Sequence, residues 1–350
     1  MTAAESRLGS PSTFLVVTTV NEPTSAMVSL AAGSSEHGSQ LVVVGDTATP
    51  AGYRLQGAVI LDFDTQGLMR FELAAIAPTG HYSRKNLGYL YAMAAGAGVI
   101  VETDDDNHPM PSFFEERTRM VAARSIMADG WVNVYAYFGN DDGNTVIWPR
   151  GLPLDAIRQT VPAAVDGGHE IYDCPIQQGL ANEDPDVDAI FRLTARLPYS
   201  FQLREPLVLR PGAWSPFNSQ NTTWFRDAFR LMYLPAFCSF RMTDIWRSLV
   251  AQRIGWENGW CVLFRAADVW QERNEHDLMA DFLSEIPGYL HNRELAKRLS
   301  AVVVEPGVEG IPGSMRRCYG ELLDMGLVAP EEAAALEAWL RDTDRLLGSG

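Results

Sequence analysis

Val99-Ile100-Val101-Glu102-Thr103-Asp104-Asp105-Asp106 runs from a short apolar stretch straight into three consecutive aspartates. A β-branched apolar run of this length reads as a buried strand. Carboxylates crowded at the end of such a strand repel one another and are tolerable there when something positive sits among them. A divalent cation carrying substrate phosphates fits that need, because Mg²⁺ is usually held by one or two carboxylates plus phosphate oxygens. In open α/β sheets, ligands bind outside the carboxyl ends of the strands. The plain alternative is an exposed acidic turn, which Asp favours.

Upstream, Phe14–Val20 is another β-branched apolar run, broken by Asn21-Glu22-Pro23. Thr24 then caps a helix through about Ala32. Leu41–Val44 and Ala58–Phe63 read as further buried strands, the first ending in Gly45-Asp46-Thr47. Ser83 is the expected cap of a helix that starts at Arg84 and carries Leu87, Leu90, Tyr91 and Ala94 on one face. Gly96 and Gly98 stop it. Strands alternating with helices predict a parallel α/β layer over the first 110 residues.

Downstream, Trp131–Phe138 alternates and predicts a strand. Asp141-Asp142 before Gly143-Asn144 predicts a hairpin turn, and Trp148–Pro153 a rigid loop. Strand-like stretches return at Pro206–Leu209, Ala213–Trp224 and Trp260–Phe264, with a helix over Asp244–Ile254. From about His276 the pattern is helical, and Glu331–Leu347 places Leu336, Trp339, Leu340, Thr343 and Leu347 on one packing face. The domain expectation is a flexible segment over 1–11, an α/β domain over 12–275 divided at residue 110, and a helical extension over 276–350.

The chain has 350 residues, 47% hydrophobic and 21% charged, the balance of a large globular protein. A formal net charge of -16 argues against nucleic acid or an anionic membrane as partner. Of the 28 basic residues only Lys85 and Lys297 are lysine. The four cysteines form no C-x-x-C, which argues against structural zinc and a disulfide framework. No stretch approaches the roughly 20 apolar residues of a membrane span, and no signal peptide is evident. The expected location is the cytoplasm.

Several segments resemble, in order, the STELLO-type glycosyltransferase family: Val17-Thr18-Thr19 with Pro23, residues 44–47, residues 82–90, the acidic run, Trp148–Pro153, Asp186–Ala189, Pro216–Asn221 and Asp244-Ile245-Trp246. A weaker similarity runs to the reversibly glycosylated polypeptides, which are sugar-nucleotide (UDP-arabinopyranose) mutases. The match covers roughly residues 12–285. It implies a GT-A fold, a Rossmann-like mixed sheet flanked by helices. It also implies a nucleotide diphosphate sugar donor, with uridine the commoner base, and a divalent metal, Mn²⁺ or Mg²⁺.

On that resemblance Asp104 and Asp106 are the metal-binding Asp-x-Asp pair, with Glu102 and Asp104 as the alternative register and Asp105 beside them on the donor. Thr18, Thr19 and Asp46 are placed for base and ribose. Lys85 and Asn86 are placed for the diphosphate, since a cation in the first turn opposes the helix dipole unless an anion compensates. Asp244 is the expected general base, which implies inversion. Asn218, Asn221 and Trp246 are placed for acceptor or sugar. A further metal ligand is open between Gln271, His276 and none. The expected function is transfer of the sugar to a hydroxyl of a small molecule or envelope precursor. A mutase, or a non-catalytic nucleotide-sugar-binding protein, is the rival.

Overall fold

The computed structural model describes residues 12–139, 146–165, 170–272 and 277–348. The expected flexible segment 1–11, the Asp141-Asp142 turn and His276 lie outside the described residues. The first third alternates as expected: β1 (Thr13–Thr18), α1 (Ser25–His37), β2 (Gln40–Val44), β3 (Ala58–Leu61), α2 (Phe63–Leu68), α3 (Lys85–Ala94) and β4 (Val99–Thr103). Next come β5 (Asn107–Pro109), β6 (Met120–Ala122), β7 (Arg124–Ile126), β8 (Gly130–Trp131) and α4 (Val134–Phe138). They are followed by β9 (Ile171–Asp173), β10 (Ile176–Asn182), α5 (Ala189–Thr194), β11 (Leu207–Leu209), β12 (Ala213–Trp214), β13 (Asn221–Phe225), α6 (Thr243–Glu257) and β14 (Val262–Gln271). Helices α7 (Leu278–Ala301), α8 (Ile311–Asp324) and α9 (Glu332–Leu347) close the chain.

One mixed sheet runs in the order β3-β2-β1-β4-β13-β10-β14-β11-β7, with β5 on β14. The first four of these are parallel, and β13 enters antiparallel to β4 with Asn221 opposite Thr103. Both faces are covered, so the strands read as continuous apolar runs rather than alternating ones. Val16, Val42, Val44 and Ile100 pack with α3, while Leu15, Val17, Leu41, Val43 and Val101 pack with α1. This is the mixed α/β architecture, with a helical C-terminal region, that the GT-A expectation requires.

Helix α3 lies very close to the sheet. A Cβ on its Gly88 would sit 2.5 Å from Val16 Cγ1 and 2.6 Å from Val44 Cγ2. Gly88→Ala is therefore expected to destabilise by about 1–3 kcal/mol, the cost of overpacking. Urea unfolding checks this, and an unchanged midpoint would show that α3 can retreat.

Several local expectations change. Trp131–Phe138 is not a strand: β8 ends at Trp131, and the Asn133 side chain accepts the Ala136 N–H to cap α4. Val134, Tyr135 and Phe138 are then buried together as one helical face. Thr24 caps α1 as expected, accepting the Met27 N–H at 3.1 Å. Ser83 does not cap α3. A tight turn over Tyr82–Arg84 leads into the helix, and His81 Nδ1 accepts the Ser83 N–H at 3.1 Å. Between Ala213 and Trp224 only β12 and the first four residues of β13 are strand.

The C-terminal helices share the main core with the sheet, for Leu336, Trp339 and Leu340 belong to the same apolar cluster as Leu87 and Leu90. Asp342 accepts the N–H groups of Glu72 (3.1 Å) and Leu73 (3.0 Å), and Glu332 accepts those of Ala236 (2.9 Å) and Phe237 (2.8 Å). The second clamp fixes the segment that leads into α6. Among the described residues no helix is long and apolar enough to cross a membrane.

Candidate functional site

The carboxyl ends of β1, β2 and β4 open into a cavity of about 540 Å³, closed on the other side by the start of α6 and by Arg150 and Asp186. Six aspartates line it, at 46, 104, 105, 106, 186 and 244, against three arginines, at 84, 150 and 241. Carboxylate outnumbers guanidinium two to one, so the cavity demands added positive charge to hold a diphosphate.

The aspartates differ in what they touch. Asp105 is turned back onto the loop after β1: its Oδ2 accepts from Thr19 Oγ1 at 2.6 Å and Asn21 Nδ2 at 3.0 Å, and its carbonyl from Thr24 Oγ1 at 2.5 Å. Asp104 accepts from Lys85 Nζ at 2.9 Å. Burial nonetheless pushes its carboxyl up, against Lys85 and with help from Asp105 and Asp244. Asp106 accepts from Gln271 Nε2 at 2.9 Å. Burial and the neighbouring Asp104 push it up to about 7. Asp104 and Asp106 both line the cavity and repel each other there, which is the environment a divalent cation would relieve. Among the described residues no three His, Cys, Asp or Glu side chains converge as a ligand set. A cation here would draw its remaining ligands from phosphate and water, as Mg²⁺ commonly does. Gln271 is committed to Asp106 and to Gln220, whose Nε2 donates to its Oε1 at 2.8 Å.

Asp46 ends β2. Its Oδ1 accepts the Thr47 N–H at 2.6 Å and its Oδ2 the His81 N–H at 3.2 Å. Thr18 and Thr19 line the same end of the cavity.

Asp244 lies in the first turn of α6, 2% exposed. Its Oδ2 takes all the donors: Arg150 Nη2 at 3.0 Å, the Ser219 N–H at 3.0 Å and Ser219 Oγ at 3.2 Å. Its Oδ1 is buried with no partner. Burial alone would push this carboxyl up, but Arg150, Arg247 and the Ser219 N–H outweigh it and hold it well below the usual carboxylate range. Arg150 is itself fixed by Asp186, through Nε to Oδ1 and Nη2 to Oδ2, both at 2.8 Å.

The structure therefore gathers Thr18, Thr19, Asp46, Asp104, Asp105, Asp106 and Asp244 around one cavity. The other expected residues face elsewhere. Lys85 is fully buried, and its three protons go to Thr103 O (2.8 Å), Asp104 (2.9 Å) and Ser219 O (3.3 Å), leaving none for a phosphate. Asn86 is spent on the backbone of Leu234, donating to its carbonyl at 2.8 Å and accepting its N–H at 2.9 Å. Trp246 is fully buried with Nε1 donating to Asn292 at 2.9 Å. Asn218 Oδ1 accepts the Gln220 N–H at 3.0 Å, and Asn221 donates to Asp268. Glu102 is buried against Arg247, so the register pairing Glu102 with Asp104 does not hold. Sequence reasoning missed Arg150, Asp186, Arg241, His81, Tyr82 and Phe240, all of which line the cavity. A signal existed for Arg150, Asp186 and Tyr82, which sit in the matching segments 148–153, 186–189 and 82–90.

Two proteins of Arabidopsis thaliana, described as probable glycosyltransferases STELLO1 and STELLO2, are 30% and 29% identical to this chain in alignments of 269 positions that cover 70% of it. This chain carries a STELLO-type domain. It spans about a third of each relative, 34% of their length. No family model matches the chain. A crystal structure of a mycobacterial protein is also similar, with a TM-score of 0.41 and 10% identity over 81% of this chain and 75% of that one. The STELLO-type domain supplies the cavity with both its acidic run and Asp244.

Proposed function

We propose that the chain is a metal-dependent glycosyltransferase that moves a sugar from a nucleotide diphosphate donor, a uridine nucleotide first among those to try, to a hydroxyl of a small-molecule or envelope-precursor acceptor. The observation that carries this reading is one cavity lined both by two mutually repelling carboxyls, Asp104 and Asp106, and by a buried carboxylate, Asp244, whose Oδ1 has no partner. A divalent ion held by Asp104 and Asp106 would neutralise the diphosphate and the charge developing on it as the bond to the sugar breaks. Thr18, Thr19 and Asp46 meet the nucleoside at the ends of β1 and β2. Asp244 Oδ1 accepts the acceptor hydroxyl's proton while that oxygen bonds to the anomeric carbon and the nucleotide diphosphate departs from the opposite face. The product is inverted.

Thermal shift with nucleoside diphosphates and their sugars, each with Mn²⁺, Mg²⁺ or EDTA, tests the donor half. A ligand at 100 times Kd adds about 2.7 kcal/mol to apparent stability. The expected result is a metal-dependent shift that Asp106→Asn removes; an equal shift in EDTA would sink the metal assignment, and no shift with any nucleotide would sink the donor. The sign of the pH dependence follows from Asp106. With its carboxyl near 7 in the metal-free protein, binding a cation must expel a proton, so affinity rises with pH through 7 and falls by up to about tenfold per unit below it. Mn²⁺ titrations at pH 6, 7 and 8 check this; a flat profile would contradict it.

A further inference from the structure

Phe240 is left 46% exposed at the rim of the cavity. Its ring meets His81 edge-on at 5.2 Å and Tyr82 edge-on at 4.9 Å, and those two rings stack at 5.5 Å. Three rings thus make an aromatic wall in a cavity that also holds six aspartates and three arginines. The wall is tied to the reacting end, because the backbone N–H of Asp244 donates to the Tyr82 hydroxyl at 3.2 Å. One tyrosine side chain separates Phe240 from Asp244.

Three polar atoms of residues around this wall are buried without hydrogen-bond partners, Asp244 Oδ1, His81 Nε2 and Arg241 Nη2, the last held in an ion pair with Glu285 at 2.9 Å. The chemistry of the second is fixed by the other side of the ring. Nδ1 accepts the Ser83 N–H at 3.1 Å, so the neutral imidazole carries its proton on Nε2 and offers a donor there. The site therefore presents a half-exposed aromatic ring set edge-on against two stacked ones, an acceptor at Asp244 Oδ1 and a neutral donor at His81 Nε2.

Resting on the transferase reading above, we infer that the wall is the acceptor subsite and that the acceptor is a neutral hydroxyl-bearing ring, such as a pyranoside. A pyranose has a C–H face to lie on Phe240 and a hydroxyl edge to meet Asp244 and His81. An anionic ring is disfavoured, since Asp186 and Asp244 stand at this end, Arg150 is already shared between them, and Arg241 is already paired with Glu285 at 2.9 Å. A nucleobase is the competing occupant of an aromatic wall, because the backbone N–H of His81 donates to Asp46. The link through Tyr82 to Asp244 favours the acceptor.

The test titrates methyl pyranosides (gluco, galacto, manno and xylo) and the matching methyl uronates into the full chain, with Mn²⁺ and the tightest-binding nucleoside diphosphate present. Wild type, Phe240→Ala and Phe240→Trp are compared, and the nucleotide is titrated in parallel. At least one neutral pyranoside should bind wild type, weaken by about tenfold in Phe240→Ala, the scale of one lost aromatic contact, and recover in Phe240→Trp. Its uronate should bind about tenfold more weakly, and the nucleotide should bind all three proteins alike. Because Phe240 is nearly half-exposed, all three should stay folded, with only a small loss of midpoint in Phe240→Ala. Loss of nucleotide rather than pyranoside affinity in Phe240→Ala would give the wall to the base and overturn the inference. Equal pyranoside affinity in all three, or no saturable pyranoside binding, would overturn it as well. Failure of every nucleotide to bind wild type would instead overturn the transferase reading.

Discussion

Asp244→Asn should lower turnover by about 10²–10⁴-fold, the usual contribution of a general base, with nucleotide affinity unchanged. The substitution keeps the shape of the side chain. Arg150 retains both of its bonds to Asp186, and the amide oxygen can still accept from the Ser219 N–H. What changes is the free position: in place of an unpartnered carboxylate oxygen, the cavity meets an amide that donates. An interaction made only in the transition state lowers kcat and kcat/KM equally, so KM should hold. Steady-state nucleotide release by wild type and variant measures this. Turnover within about threefold of wild type would reduce Asp244 to an anchor for Arg150 and Ser219. Asp244 stays ionised through the physiological range, since Arg150 offsets its burial. An acid limb near 7 in the rate profile therefore belongs to the interacting Asp104 and Asp106 carboxyls, and Asp106→Asn acts on binding where Asp244→Asn acts on turnover.

The sheet and half of the site were legible because local chemistry dictates them. Apolar β-branched runs with no polar alternation can only be strands covered on both faces, and Val99–Val101 placed the aspartates at a strand end before any contact was known. Lys85 shows where local reasoning stops. The premise was sound: a cation in the first turn of a helix does need an anion. The anion is the protein's own Asp104, helped by two carbonyls from Thr103 and Ser219, and Ser219 is 134 residues away. Trp131–Phe138 failed differently. Its period-2 pattern was real, but the Asn133 cap started a helix that buried Val134, Tyr135 and Phe138 just as well. Arg150 comes from an irregular segment without periodicity, and nothing local says that it meets Asp186 and Asp244, 36 and 94 residues on.

Arg247→Met is expected to cost about 3–5 kcal/mol of folding stability, the range for breaking one partner out of a buried pair. Arg247 and Glu102 are 1% and 0% exposed. The guanidinium gives Nη1 to Oε2 at 2.8 Å and Nη2 to Oε1 at 2.7 Å, and lies 5.1 Å from the centre of the Trp224 ring. Trp224 Nε1 and the Tyr89 hydroxyl donate to the same carboxylate. One pair thus pins α6 and α3 to β4 and β13 and sets the depth at which α6 presents Asp244. Methionine fills much of the space but leaves the Glu102 charge buried with two neutral donors. Glu102→Met should be costly in the opposite sense, stranding the guanidinium. The double variant Glu102→Met with Arg247→Met removes both desolvation penalties and should recover much of the loss, since buried pairs are often replaceable by apolar residues. Urea unfolding of the four proteins closes the cycle. A cost under about 1 kcal/mol for Arg247→Met would show water reaching Glu102, and α6 would then be held by its apolar packing alone. If instead the double variant folds stably and still binds nucleotide but turns over slowly, the pair's contribution is placement of Asp244 rather than stability.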